Sequence, residues 1–174
     1  MNFQELYKTY SKQVYNLALH YVQNIEEAEE ITQDVFVSIH QSLESFQNKS
    51  TLSTWIYRIT INKCLDFIKS KSRRNRIAFL TSLFSNNKQD VRFYLPNFDH
   101  PGVLMEQKEA IKKIFECINT LLPNQKTVLI LSKIEKKNHQ EVAEIMGLSI
   151  KAVESLLQRA KQNLANKLKQ NEGS

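Results

Sequence analysis

Glycine and proline are scarce in this chain, 3 of each in 174 residues. A sheet protein needs turn residues at its hairpins, and so few of them argue against one. Cysteine is scarcer: Cys64 and Cys117 stand alone, with no metal-ligand spacing around either, which excludes a zinc module and a disulfide scaffold. Both fall at apolar helical positions and read as small buried hydrophobes in a reducing compartment. No apolar run of bilayer length and no signal peptide is present, so a cytoplasmic protein without membrane insertion is expected. His20, His40, His100 and His139 are scattered, and the acidic clusters lie along the solvent side of one helix. No catalytic constellation, metal site or cofactor site emerges, so none of the three is expected.

What the chain does hold is helix-forming material. Glu, Lys, Gln, Leu and Ile dominate, and 41% hydrophobic residues are enough for a core. The fold class is all-α. The net charge of +6 is unevenly spread: residues 1–68 carry 5 basic against 8 acidic side chains, 69–92 carry 7 against 1, and 126–174 carry 9 against 5. An acidic first half followed by two basic blocks suits a polyanion gripped at two places, with another surface kept for a different partner.

Helical period organises the first half. Leu6, Tyr10, Val14, Leu17 and Tyr21 form one stripe within residues 3–23. Asn24, with Glu27 three residues on, reads as a capping box opening a second helix, whose buried face is Ile31, Val35, Ile39 and Leu43. Gln33, Asp34, Val37 and Gln41 are left outside. The polar loop QNKSTLS, residues 47–53, supplies a Ser or Thr cap for a third helix in TLSTWIYRITINKCLDFIKSKSRRNR. On this helix Leu52, Ile56, Ile59 and Phe67 share one side, and Tyr57, Ile61, Cys64 and Ile68 another. Between them runs a polar stripe of Arg58, Asn62, Lys69 and Arg73. Aromatic rings beside cations are what single-stranded nucleic acid needs, for stacking and for phosphates. The bland alternative is a core helix with a solvated charged tail.

After Arg76 the pattern dissolves, and residues 77–103 read as a linker, with a short helix around Phe79–Phe84. Period resumes with Leu104, Ile111, Ile114, Phe115 and Ile118. Pro123 fits the first turn of the following helix, and Asn138 with Glu141 forms a second capping-box pattern. HQEVAEIMGLSIKAVESLLQRAKQNL is the most specific stretch in the chain. It places small Ala143 where two helices cross, Gly147 at the turn for positive φ, and Ser149 as a cap. Val142, Met146, Leu148, Val153 and Leu156 are the apolar set of a helix-turn-helix. Lys151, Glu154, Ser155, Gln158, Arg159 and Gln162 face a major groove, with Lys161, Lys167 and Lys169 available to phosphates.

Taken together, these motifs resemble a bacterial RNA polymerase sigma factor of the sigma-70 family, extracytoplasmic-function group, over residues 3–76 and 104–168. The resemblance implies a sigma2-like helical bundle (1–76), a flexible linker (77–103) and a sigma4-like helix-turn-helix domain (104–174). ITQDVFVSIHQSLESF resembles the sigma2 stretch that docks on the coiled coil of the largest polymerase subunit, implying polymerase contact for Gln33, Asp34, Val37 and Gln41. LSTWIYRITINKCLDFIKSKSRR resembles the part that melts the promoter −10 element. By that resemblance Asn48, Lys49, Ser50 and Asn62 hold flipped bases, Trp55, Tyr57 and Arg58 flank the melted strand, and Lys69, Arg73 and Arg74 grip the backbone. LLPNQKTVLILSKIE with the helix-turn-helix resembles sigma4, which reads the −35 element and binds the flap of the second-largest subunit. Ser149, Lys151, Glu154, Ser155, Gln158, Arg159 and Lys161 are then the duplex-reading residues. An anti-sigma factor or another DNA-bound recruiting factor completes the range of partners that the resemblance leaves room for.

Where many relatives carry an arginine-rich recognition helix, this one reads AVESLLQRAK. Weak −35 readout is expected, with Lys151, Arg159 and Lys161 supplying phosphate affinity and Glu154 able to accept from a cytosine amino group. The rival readings are a helix-turn-helix regulator acting without stable polymerase association, which leaves the aromatic–basic stretch unused, and a DNA-processing enzyme, which lacks its nucleophile or metal carboxylates.

Overall fold

Residues 2–46, 49–84 and 105–172 are described by the structure, a computed structural model. Among them the regular structure is helical throughout: α1 (Phe3–Val22), α2 (Ile25–Ser42), α3 (Leu52–Phe84), α4 (Met105–Asn119), α5 (Pro123–Leu129), α6 (His139–Met146) and α7 (Ile150–Glu172). None of these helices is long and apolar enough to cross a membrane.

Side-chain caps set most of the boundaries. Asn2 and Glu5 close a capping box at the start of α1, which ends at Gln23 in the left-handed conformation (φ 50°). The Asn24 side chain accepts the Glu27 N–H at 2.9 Å and caps α2. The return bond expected from Glu27 is not made to the cap; its carboxylate pairs with Lys71 on α3 instead. Thr51 caps α3 by accepting the Thr54 N–H at 3.1 Å. The Asn138–Glu141 box is complete, and the Asn138 N–H holds the Glu141 carboxyl below the usual carboxylate range.

α3 is longer than its apolar period suggests. It continues unbroken through residues 77–84, where a linker with a short separate helix around Phe79–Phe84 was expected. No glycine or proline interrupts that stretch, so the helix continues although its side chains are exposed from Ser72 to Phe79. The rest of the expected linker, residues 85–103, lies outside the described residues.

α1, α2 and α3 pack as a three-helix bundle around Leu6, Leu17, Ile31, Val35, Ile39, Ile56 and Cys64, while α4, α5 and α6 pack on α7. The two halves are not held apart. Their buried residues form one continuous core running from Leu6 to Ala160, with α3 meeting α6. α5 passes directly into a π-helical turn, Ile130–Ile134, in which the Glu135 N–H reaches the Ile130 carbonyl at 2.9 Å. Lys136, in the left-handed region (φ 54°), ends it.

The helix-turn-helix forms as its residues dictate. Gly147 takes φ 66° between α6 and α7, and the Ser149 hydroxyl accepts the Ala152 N–H at 3.2 Å. Its apolar set needs correction. Val142 and Val153 are buried and Met146 and Leu156 half-buried, but Leu148 is 38% exposed. Ile145, Leu157 and Ala160 fill the inner positions, because the inward line of α7 runs through Val153, Leu157 and Ala160, one position on from Leu156. On α4, Ile114 likewise faces outward while Phe115 and Ile118 are buried.

Candidate nucleic-acid and polymerase interfaces

The outer side of α2 is an open surface. Ile31, Val35 and Ile39 occupy its inner line, which turns Gln33, Asp34, Val37 and Gln41 outward, with Val37 55% exposed. An apolar spot ringed by one carboxylate and two amides offers both contact area and hydrogen bonds.

On α3 the expected nucleic-acid residues divide. Trp55 is half-buried, its ring 4.8 Å from that of Phe46 with planes inclined at 36°. This pair makes an aromatic ledge at the start of the helix. Lys49, Asn62, Lys69, Arg73 and Arg74 are exposed and Ser50 is half-buried, whereas Asn48 lies outside the described residues. The exposed cations of α3 lie on the same continuous helix as the ledge, so their spacing from it is fixed.

Tyr57 and Arg58 are placed otherwise than expected. Tyr57 is 3% exposed and donates to Glu135 Oε2 at 3.0 Å, while the Lys137 ammonium lies 5.2 Å from the centre of its ring. Burial, with the negative charge of Glu135 behind it, raises the phenol above its ordinary pKa. A ring so enclosed cannot flank a strand in this arrangement. Arg58 keeps exposed surface, but its guanidinium donates to the Ile145 carbonyl at 3.3 Å and the Glu144 carbonyl at 2.5 Å. Those carbonyls end α6, where unsatisfied oxygens and the helix dipole favour a cation. At this level the polar stripe of α3 therefore faces another helix of the same chain. Beside it, Arg58, Asn62, Asn124, Thr127 and Gly147 help line a cavity of about 290 Å³.

Further bonds tie the halves together. His20 Nδ1 lies 2.9 Å from Glu135 Oε1, so one carboxylate serves two residues of the first half. The Tyr21 hydroxyl donates to Thr127 at 2.7 Å. Lys126 Nζ donates to the Tyr21 carbonyl at 2.8 Å and to Asn119 Oδ1 at 2.6 Å, and Asn119 donates to Gln23 at 2.7 Å. Burial pushes the Lys126 ammonium down to about 8. Sequence reasoning identified none of these residues as a site. His20 and Glu135 are 115 positions apart, and no local pattern marks either.

On α7, Lys151, Glu154, Ser155, Gln158, Arg159 and Lys161 are exposed together, as is Ser149 in the turn before it. Glu154 is not unoccupied: its carboxylate lies 3.5 Å from His139 Nδ1 at the start of α6. Among the described residues no group of three or more His, Cys, Asp or Glu is gathered to hold a metal ion.

Comparison with known proteins matches both halves. The family model Sigma-70 region 2 fits residues 6–74 and Sigma-70, region 4 fits residues 111–164. The ECF RNA polymerase sigma-E factor of Haemophilus influenzae is 28% identical over 166 residues, spanning 95% of this chain and 87% of that protein. The sigma-E factor of Escherichia coli K12 is 25% identical over the same share of this chain and 86% of its own. In fold, the chain is similar to the sigma factor RpoE of Bartonella quintana, solved with the anti-sigma factor NepR, at TM-score 0.66 and 19% identity over 96% of both chains. CnrH, solved with the cytosolic domain of CnrY, matches at TM-score 0.65 and 19% identity over 96% of this chain and 87% of its own.

Proposed function

The chain belongs to the sigma-70 family, extracytoplasmic-function group, and from that premise we propose how an initiation factor that binds core RNA polymerase and recognises promoters divides the work among its own residues. Gln33, Asp34, Val37 and Gln41 on α2 dock on the coiled coil of the largest polymerase subunit. Lys49, Ser50, Trp55 and Asn62 receive the unpaired −10 strand, and Lys69, Arg73 and Arg74 hold its phosphates. The exposed row on α7 meets duplex at −35, and the second half also binds the flap of the second-largest subunit. The polymerase does the chemistry, and the chain supplies none of its own. It works in the cytoplasm. The similar sigma factor of Bartonella quintana was solved with an anti-sigma factor, and the same class of partner is proposed for this chain.

The observation that carries this reading is the α3 surface, where an aromatic ledge and a row of exposed cations share one rigid helix. Unpairing a base and extruding it costs a few kcal/mol. Stacking contributes about 1–3 kcal/mol per base, so a ledge with phosphate contacts behind it suffices to hold a short opened segment. On α7 the pairing of Glu154 with His139 leaves Lys151, Arg159 and Lys161 as phosphate contacts more than as readers of bases. Recruitment then leans on −10 readout or on a second DNA-bound factor.

Transcription reconstituted from core polymerase and the purified chain, with start sites mapped, tests the whole assignment. Start sites that depend on the chain are expected. Failure to co-elute with core polymerase, together with no new start sites, rejects it. Scrambling the −35 sequence upstream of a mapped start should weaken binding only slightly, and a large loss of affinity would show that α7 reads bases after all.

A further inference from the structure

We infer that Ile150, at the first position of α7, is the residue through which this chain reads duplex DNA, its side chain packing on the 5-methyl group of a thymine in the −35 element. This rests on the reading above in which the exposed row of α7 meets duplex, and it goes further by giving that row a base contact. α7 begins at Ile150, and the inner line of Val153, Leu157 and Ala160 would take in that side chain one turn earlier. It is nevertheless 47% exposed, a large apolar group left in water. The helix start that carries it is fixed: the Ser149 hydroxyl accepts the Ala152 N–H at 3.2 Å, and the Ser149 carbonyl accepts the Val153 N–H at 3.0 Å. An isoleucine in a helix keeps one strongly preferred rotamer, so little side-chain entropy is lost when it meets a surface.

The surroundings select the occupant. Ile150 borders a cavity of about 530 Å³ together with Glu154 on α7 and with Lys137, Asn138 and His139 around the start of α6. In a helix-turn-helix the first helix crosses the backbone, and the N-terminal residues of the second touch base edges in the major groove. Lys151, Arg159 and Lys161, exposed on α7, supply the positive charge that draws a polyanion to this side. Glu154, one turn from Ile150, is the group able to accept from a cytosine, but its carboxylate lies 3.5 Å from His139 Nδ1. The base edge beneath the start of α7 therefore meets a branched hydrocarbon. Of the four bases only thymine presents a methyl group in the major groove. A purine edge or a cytosine amino group would lose water against Ile150 with no partner gained. Burying one methyl group is worth about fourfold in affinity, so scrambling the −35 sequence still weakens binding only slightly.

The test uses the full chain bound to core polymerase and a promoter fragment with a mapped start, its −35 region randomised. Fragments retained by the complex should be enriched in thymine at one position. Replacing that thymine by uracil, which removes only the methyl group, should lower affinity about fourfold in fluorescence anisotropy. Ile150→Ala should bind the thymine and uracil fragments alike, at the level of the parent chain on uracil. A merely structural role would not move that ratio, since a loosened α7 weakens both fragments equally. Absence of thymine enrichment overturns the proposal, and so does equal binding of the two fragments by the parent chain. Discrimination retained in Ile150→Ala places the methyl contact on another residue and overturns it too. No chain-dependent start site at all sinks the initiation-factor reading beneath it, whereas start sites with no preference between thymine and uracil sink the isoleucine contact alone.

Discussion

Lys126 is a buried ammonium, 5% exposed, bonded to two carbonyl oxygens and lying 5.3 Å from the centre of the Tyr21 ring. Burial lowers its pKa from 10.5 to about 8. Between those two values the unfolded chain binds the extra proton and the native chain does not, so this lysine makes stability rise with pH there. Cys64 opposes it. Burial raises that thiol from 9.0 to about 12, so above pH 9 the unfolded chain loses its proton first and stability falls. Tyr21 and Tyr57, also raised by burial from 10.0, add to the fall above pH 10. Scanning calorimetry should show Tm rising from about pH 7.5 to about 9, level to about 10 and falling beyond. Lys126→Met should abolish the rise, and a rise of the same size in that variant would assign it elsewhere. Trp55 makes a separate prediction. Trp55→Ala, or Arg73→Gln with Arg74→Gln, should leave polymerase co-elution intact while reducing permanganate reactivity of promoter thymines. Loss of one stacked base, about 1–3 kcal/mol, corresponds to roughly 5- to 150-fold in the opening equilibrium. Trp55 and the cations were legible in the sequence because their composition is local. Tyr57 was not, because the residue that claims it, Glu135, lies 78 positions away.

At the scale of elements, the caps were the most readable feature. Asn24, Asn138, Pro123 and Ser149 sit at helix ends as their side chains dictate, and Gly147 as its lack of one permits. Glu27 shows the limit of such reading, since a capping partner with a long side chain can be drawn away by a cation on another helix. The continuity of α3 with the short helix expected near Phe84 was missed for a related reason. Apolar period reports what a helix packs against, and an unpacked extension needs only helix-forming residues. Gly147 allows a clean test. A Cβ built there meets nothing within 4 Å, so Gly147→Ala is strained only by its left-handed backbone. A cost of about 1–2 kcal/mol is expected in urea unfolding, and a neutral substitution would show that the turn relaxes. On α2, Asp34→Lys reverses charge on an exposed face and should weaken co-elution with core polymerase without lowering Tm. Normal co-elution of that variant would remove α2 as the docking surface.

At the scale of the whole molecule, two functional halves were visible as charge blocks and as separate motifs, yet their docking was not. Each half has enough apolar residues to read as its own core, and nothing local tells a residue buried within one half from one buried between the two. Tyr21 and Ile145 are of the second kind, touching partners across the junction. The π-helical turn at Ile130–Ile134 gives that junction its phase. Such a turn bonds residue i to i+5, about one residue more per turn than an α-helix, and Glu135 comes directly after it. Were the same residues wound as ordinary α-helix, the surplus residue would rotate the downstream chain by about 100°, swinging Glu135 away from His20 and Tyr57 with no residue of that contact replaced. One surplus residue in a helix thus sets the angular register in which the second half meets the first.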